Sequence, residues 1–225
     1  MEKINEFFNK LFNLIPGYIF GLIAFSIGFI GSTLALILSP EYKMWKYSIS
    51  ILGHATGGMY LRIGVIISGL VAIPFFIYLG RAVKEDNVNE VLRKITVGIG
   101  IFSSVNVSLS EIFTGVNNFI IMLHGIFALC SWIGYVAIFI LFSVIMLKNS
   151  KFSKYNVYLG YVAAGILIFY LILFFVTNFC NLYVEICYEF GRGVYIIMPT
   201  LEWMVYFSVL FWILFNSGHL LYKKI

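Results

Sequence analysis

Six long apolar runs, separated by short polar stretches, organise this chain. They cover roughly Leu14–Leu38, Tyr60–Gly80, Ile95–Thr114, Phe119–Leu147, Val157–Thr177 and Val194–Tyr222. A helix crosses a bilayer with about 20 mostly apolar residues, so each run predicts one transmembrane helix. The connections between them are short. Residues 1–225 therefore read as a single all-α membrane bundle of six helices with no separate soluble domain. Lys3 and Lys10 precede the first run, as at the start of a secretion signal. Its apolar stretch is too long for a signal core, and no small-x-small cleavage site clearly follows. It reads as a retained helix.

Composition supports this picture. The chain is 61% hydrophobic and 11% charged, with a mean hydropathy of +0.97. Soluble domains are about half apolar and about a quarter charged. The net charge of +5 is too dilute to suggest a nucleic-acid surface, but its placement is informative. With the N-terminus inside, eleven of the 15 Lys and Arg residues fall on the inner side, leaving Lys43, Lys46, Arg62 and Arg192 outside. The loop "KNSKFSK" and the ending "YKKI" are the clearest inner markers. Lys and Arg accumulate in cytoplasmic loops, so the pattern predicts a multi-pass protein of the cell membrane with both termini cytoplasmic.

Small residues mark helix faces that can pack closely, which is how helices associate when lipid is as apolar as leucine. Gly17, Gly21, Ala24, Gly28 and Ser32 recur at helical spacing in the first run. Gly64, Ser68 and Ala72 do so in the second, and Gly160 and Ala164 in the fifth. They read as packing seams within the bundle, or as faces for a homo-oligomer. In the third run Ser103, Ser104, Asn106, Ser108, Ser110 and Glu111 spread over one broad side. Ile101, Phe102, Val105, Leu109 and Ile112 fill the other. A polar arc is costly against lipid, so the third helix is expected at the centre of the bundle.

Four ionisable residues from four different helices are expected at one depth, in the outer leaflet. These are Arg62, Glu111, His124 and Glu202. A charge in the middle of a membrane costs about 2.5–3.5 kcal/mol on insertion scales, so such residues pair or line a cavity. Arg62 is expected to pair with Glu111 or Glu202, with His124 hydrogen-bonded into the same group. Together with Asn106 and Ser108, these residues are the candidates for a pocket that binds or senses a membrane lipid or a small solute. A buried ion pair that only fixes helix register is the alternative. His219 falls near the cytoplasmic exit, where a histidine needs no special explanation.

Three other functions remain open. A transporter would continue the polar path inward, as Ser103, Ser104 and Asn106 do. The stretches "AIFILFSVIM" and "VLFWILF" interrupt that path, and no inverted repeat is evident. A membrane enzyme acting on lipid could use Glu111 and His124 as acid and base, but no nucleophile accompanies them. A scaffold would use the small-residue faces. Neither HExxH nor a Cys/His metal spacing occurs, so no metal or cofactor is expected. Cys180 and Cys187 share an outer loop, where an oxidising environment permits a disulfide. Cys130 reads as a small packing residue.

Two stretches resemble a known family. "SISILGHATGGMYLRIGVIISGL", Ser48–Leu70, resembles an S-x-LG opening followed by an F-N-x-G-x-I-I-x-G-L signature. "EIFTGVNNFIIMLHGIFALCSW", Glu111–Trp132, resembles a second signature, with Phe113, His124 and Gly125 at its matching positions. Both belong to an uncharacterised prokaryotic six-helix membrane family, the 998 domain of unknown function (DUF 998). That family is related in plan to the Frag/DRAM/Sfk membrane proteins. Arg62 stands where its pattern has asparagine, and Thr114 where proline is common. The resemblance implies six spans with both ends inside. Its relatives' association with lipid handling adds to the expectation of a lipid ligand.

Overall fold

The structure, a computed structural model, describes residues 2–183 and 188–225. Among these residues every regular element is helical. The order is α1 (Glu2–Leu14), α2 (Gly17–Ile37), α3 (Ile49–His54), α4 (Gly58–Ala82), α5 (Glu90–Ile112), α6 (Asn118–Leu147), α7 (Lys154–Tyr183) and α8 (Tyr188–Lys223). Six of them, α2 and α4 to α8, are long and apolar enough to span a membrane. They coincide with the six predicted runs.

Two helices were not predicted. Leu14 was expected inside the first span, but it closes α1, a separate amphipathic helix. Pro16 causes the break. Proline disfavours helical backbone at the residue before it, here Ile15, and it precedes the first turn of α2. The Phe12 ring packs at 5.1 Å against Tyr78 of α4, and the Arg81 guanidinium lies 5.1 Å above it. Arg81 also donates to Asn9 at 2.8 Å. The signal for α1 lies in the spacing of Phe8, Leu11 and Phe12 against Glu6 and Lys10. The second unpredicted helix, α3, sits in the connection between α2 and α4.

The six spanning helices form a closed ring. Each packs on its neighbour in chain order, and α8 closes back onto α2. This corrects the expected place of α5. It is one member of the ring, between α4 and α6, and no helix occupies the centre. Its polar arc does face inward, with Ser103, Ser104, Asn106, Ser108 and Ser110 buried, while Phe102 and Ile112 are exposed. Most of these hydroxyls reach a carbonyl of their own helix. Ser103 donates to Ile99 at 2.9 Å and Ser110 to Val107 at 2.8 Å. Satisfied in this way, serine packs as a small residue and needs no wet interior.

The small-residue seams join the ring. Gly17, Gly21, Ala24, Gly28 and Ser32 are all buried. Gly17 and Gly21 leave room for Tyr78 of α4 and Ser217 of α8, and Gly31 lies against Gly64. Ser68 donates to the Ala24 carbonyl at 2.7 Å. These small-residue faces are thus packed within one chain. On α7, Gly160 admits Ser143 of α6, whose hydroxyl donates to Val157 at 3.1 Å. The buried pair Asn156 and Asn216 ties α7 to α8 at 3.1 Å.

The two ends of the ring differ. The end carrying both termini is stapled by polar contacts between connections. The backbone N–H and hydroxyl of Ser150 donate to Glu85 at 3.0 and 2.7 Å, and these bonds hold the Glu85 carboxyl below the usual carboxylate range. The His219 Nε2 donates to the Lys151 carbonyl at 3.0 Å, at this end as expected. Just inside it, Trp212, Phe75, Phe76, Phe139 and Phe142 fill the ring and are essentially inaccessible. The opposite end carries α3, and there the interior is not filled.

Candidate functional site

The unfilled half of the ring holds a cavity of about 100 Å³, room for several waters or one small headgroup. Glu111 enters it from the end of α5, His124 from the start of α6 and Glu202 from α8. The connection from Phe113 to Asn117 turns the chain between α5 and α6, and the Asn117 side chain accepts the Phe119 N–H at 2.9 Å to start α6. Antiparallel neighbours then place Glu111 and His124 at similar depth. Glu202 reaches the same space because α8 closes the ring.

His124 is held at both ring nitrogens. Nδ1 lies 2.7 Å from the Ser110 carbonyl oxygen. A carbonyl only accepts, so Nδ1 carries a proton. Nε2 lies 3.3 Å from the Ser50 hydroxyl, a group that can donate or accept. One Glu202 oxygen accepts the Ile49 N–H at 3.1 Å. This is the first N–H of α3, one of the donors that a helix leaves without an internal partner. Two site residues therefore seat α3 over the cavity. The Glu111 carboxylate has no hydrogen bond among the described residues, and neither Glu111 nor Glu202 has an ion pair within 4 Å.

Arg62 departs from expectation. No described carboxylate lies within 4 Å of it, and its buried Nε has no hydrogen-bond partner. It does not line the cavity. The reason is local: its Cγ and Cδ run beside Gly53, so the side chain follows α3. Asn106 and Ser108 are also absent from the cavity wall. Asn106 donates to the Phe102 carbonyl at 2.8 Å. The Ser108 hydroxyl lies 3.1 Å from the Ile66 carbonyl of α4 and 3.0 Å from that of Ser104. Both serve packing. Cys130 is a free thiol. Cys187 lies outside the described residues, and with it the expected pairing of Cys180 and Cys187.

Other wall residues had not been nominated. Ser50, Ser110, Trp132, Tyr135 and Tyr206 all line the cavity. Only Ser110 carried a signal in the sequence, through its place in the polar arc. Aromatic residues are so common here, 23 Phe and 15 Tyr, that no one of them stands out before the ring closes. A wider recess of about 870 Å³ adjoins the cavity, walled by Trp45, Lys46, Tyr47, Ser48, Ser50 and Ile51 and by α6, α7 and α8. Ser50, His124, Ala128, Trp132 and Glu202 border both spaces, so the cavity continues into the recess.

The cap over this end depends on Tyr42. Its hydroxyl lies 2.7 Å from the Tyr47 carbonyl and 3.0 Å from that of Ser48, and it accepts the Trp203 indole N–H at 2.8 Å. Burial pushes this hydroxyl up to about 12, opposed by the Trp203 bond and reinforced by the charge of Glu202. It therefore stays a donor at neutral pH. Tyr42→Phe leaves the buried Trp203 N–H unpaired and is expected to cost about 1–3 kcal/mol. Denaturant unfolding in detergent measures this, and an unchanged midpoint would contradict it.

Protein-family models, curated proteins and solved structures were each compared with this chain, and none of the three comparisons finds a match.

Proposed function

We propose that this membrane protein binds or senses a lipid or small solute in the cavity beneath α3, which faces the outer leaflet of the cell membrane. The carrying observation is the convergence of Glu111, His124 and Glu202 from three helices on a space that continues into the recess. The charge bias supports cytoplasmic termini, an orientation in which the cavity end lies outside. Membership in the family resembled by Ser48–Leu70 and Glu111–Trp132 belongs to the same proposal. The aromatic residues between cavity and termini favour a binding site over a channel. A conducting path needs polar groups or water along its length, and Trp212, Phe75, Phe76, Phe139 and Phe142 supply neither.

Ala128 provides the test, because it borders both cavity and recess. Native mass spectrometry of the chain purified in mild detergent is expected to show a retained small molecule or lipid. Ala128→Phe fills the space and is expected to lower its occupancy at least tenfold. Full occupancy in a folded Ala128→Phe variant would overturn the reading.

A further inference from the structure

Two half-buried acids in an aromatic cavity need a counter-charge or protons. The Glu111 carboxylate faces the cavity without a hydrogen bond, and Glu202 keeps one oxygen beyond its bond to Ile49. The Arg62 side chain runs beside Gly53 of α3 rather than along the cavity wall, and His124 lines the cavity with both ring nitrogens hydrogen-bonded. The His54 Nδ1 lies 2.8 Å from the Ser50 carbonyl on the exposed face of α3. Neither carboxylate has an ion pair within 4 Å among the described residues, so both are open to a cationic partner in the cavity.

The remaining wall suits a positive ligand. Trp132, Tyr135 and Tyr206 present aromatic rings to the same space. Trp132 is fixed edge-on against Tyr170 at 5.0 Å, and the Tyr206 hydroxyl is tied to the Gly28 carbonyl at 2.8 Å, so both rings are held in place. Aromatic faces attract cations through their quadrupole, more strongly where water is excluded. Carboxylates supply the charge and rings supply the low-polarity contact, the combination that recognises ammonium groups. An anionic headgroup would instead meet two carboxylates.

We infer that the ligand of this cavity carries an ammonium group, held between Glu111, Glu202 and the rings of Trp132, Tyr135 and Tyr206. The inference rests on the cavity being a binding site, and it names the chemistry of what binds. An ammonium could arrive on a lipid headgroup through the recess or as a free organic amine.

The experiment uses the full chain in detergent, titrated calorimetrically with tetramethylammonium chloride, ethanolamine hydrochloride, glycerol and inorganic phosphate. A parallel arm places it in nanodiscs of equimolar phosphatidylethanolamine and phosphatidylglycerol and reads retained lipid by native mass spectrometry. Saturable binding of an ammonium probe is expected, weakened at least tenfold in Glu202→Gln and Glu111→Gln, with no phosphate binding. Retention of phosphatidylethanolamine at least tenfold over phosphatidylglycerol identifies a lipid source. Amine binding without lipid preference identifies a free amine. Preference for phosphate, phosphatidylglycerol or glycerol would overturn the ammonium inference and leave the binding site standing. No ligand in any arm would overturn both. If Glu202→Gln fails to fold, Glu111→Gln decides, since its side chain has no hydrogen bond to lose. Unchanged amine binding in that variant overturns the inference.

Discussion

Trp212→Ala is expected to lower the unfolding free energy by about 3 kcal/mol, near the lower end for removal of a buried aromatic. The indole is 1% exposed and lies 5.2 Å from Phe139, 5.8 Å from Phe142 and 6.3 Å from Phe76. Three spanning helices, α4, α6 and α8, meet at this one side chain. In a bilayer the transfer part of the loss shrinks, because lipid is as apolar as the bundle interior. The lost contacts and the void remain, since closely packed rings cannot collapse into the space. Trp212→Phe is expected to cost much less. The indole Nε1 is buried with no hydrogen-bond partner, so the smaller ring also removes an unsatisfied donor. Unfolding in mixed micelles followed by circular dichroism measures both. Equal losses for Ala and Phe would contradict the packing account.

Gly31→Val is expected to destabilise the bundle by at least about 1–3 kcal/mol. A Cβ at Gly31 would lie 2.7 Å from the Tyr60 carbonyl oxygen and 2.9 Å from the Gly64 Cα. Both are backbone atoms of α4, so no rotamer change relieves the clash. The helices would have to separate, and the Ser68 bond to Ala24, two turns further along the same seam, would loosen with them. Gly98 is the control. No atom lies within 4 Å of a Cβ placed there, and Gly98→Ala is expected to be neutral or to stabilise by up to about 1 kcal/mol through helix propensity. The same unfolding assay compares them. A tolerated Gly31→Val would mean that α2 and α4 are not locked at this point.

The spanning helices were legible because their signal is local and strong. Each run carries enough apolar residues to cross a membrane, and the polar connections delimit it to within a few residues. The small-residue periodicity of α2 and α4 was legible for the same reason, and both faces are buried as read. Helices α1 and α3 were missed for different reasons. Only Leu14 of α1 falls in the first apolar run, and the face formed by Phe8, Leu11 and Phe12 is too short to read as a span. Six residues of α3 are too few to show a period, and its Ile49 N–H is satisfied by Glu202 from the far end of the chain.

The site divides along the same line. Glu111 and His124 belong to one hairpin, so the short turn after α5 was enough to make them neighbours. Ionisable residues in apolar runs could also be counted, which brought Glu202 into view. The same depth argument puts Arg62 at the right end, but neither expected partner, Glu111 or Glu202, lies within 4 Å of it. Depth in a helix follows from residue number, whereas direction around the helix follows from what packs beside it. Gly53 of α3 decides that direction for Arg62. The polar arc of α5 shows the converse. Asn106 and Ser108 look like pocket residues until their bonds to nearby carbonyls are known, and those bonds make them packing residues.

Hydropathy and charge by themselves determined that this chain makes six spanning helices and which residues sit near which end, because both depend only on local composition. The ring closure of α8 onto α2 was decided by tertiary structure. So were the filled half of its interior, the empty half, and the rings of Trp132, Tyr135 and Tyr206 around Glu111 and Glu202. Each depends on contacts between residues far apart in the chain, where shape complementarity selects one arrangement among many that local pattern allows.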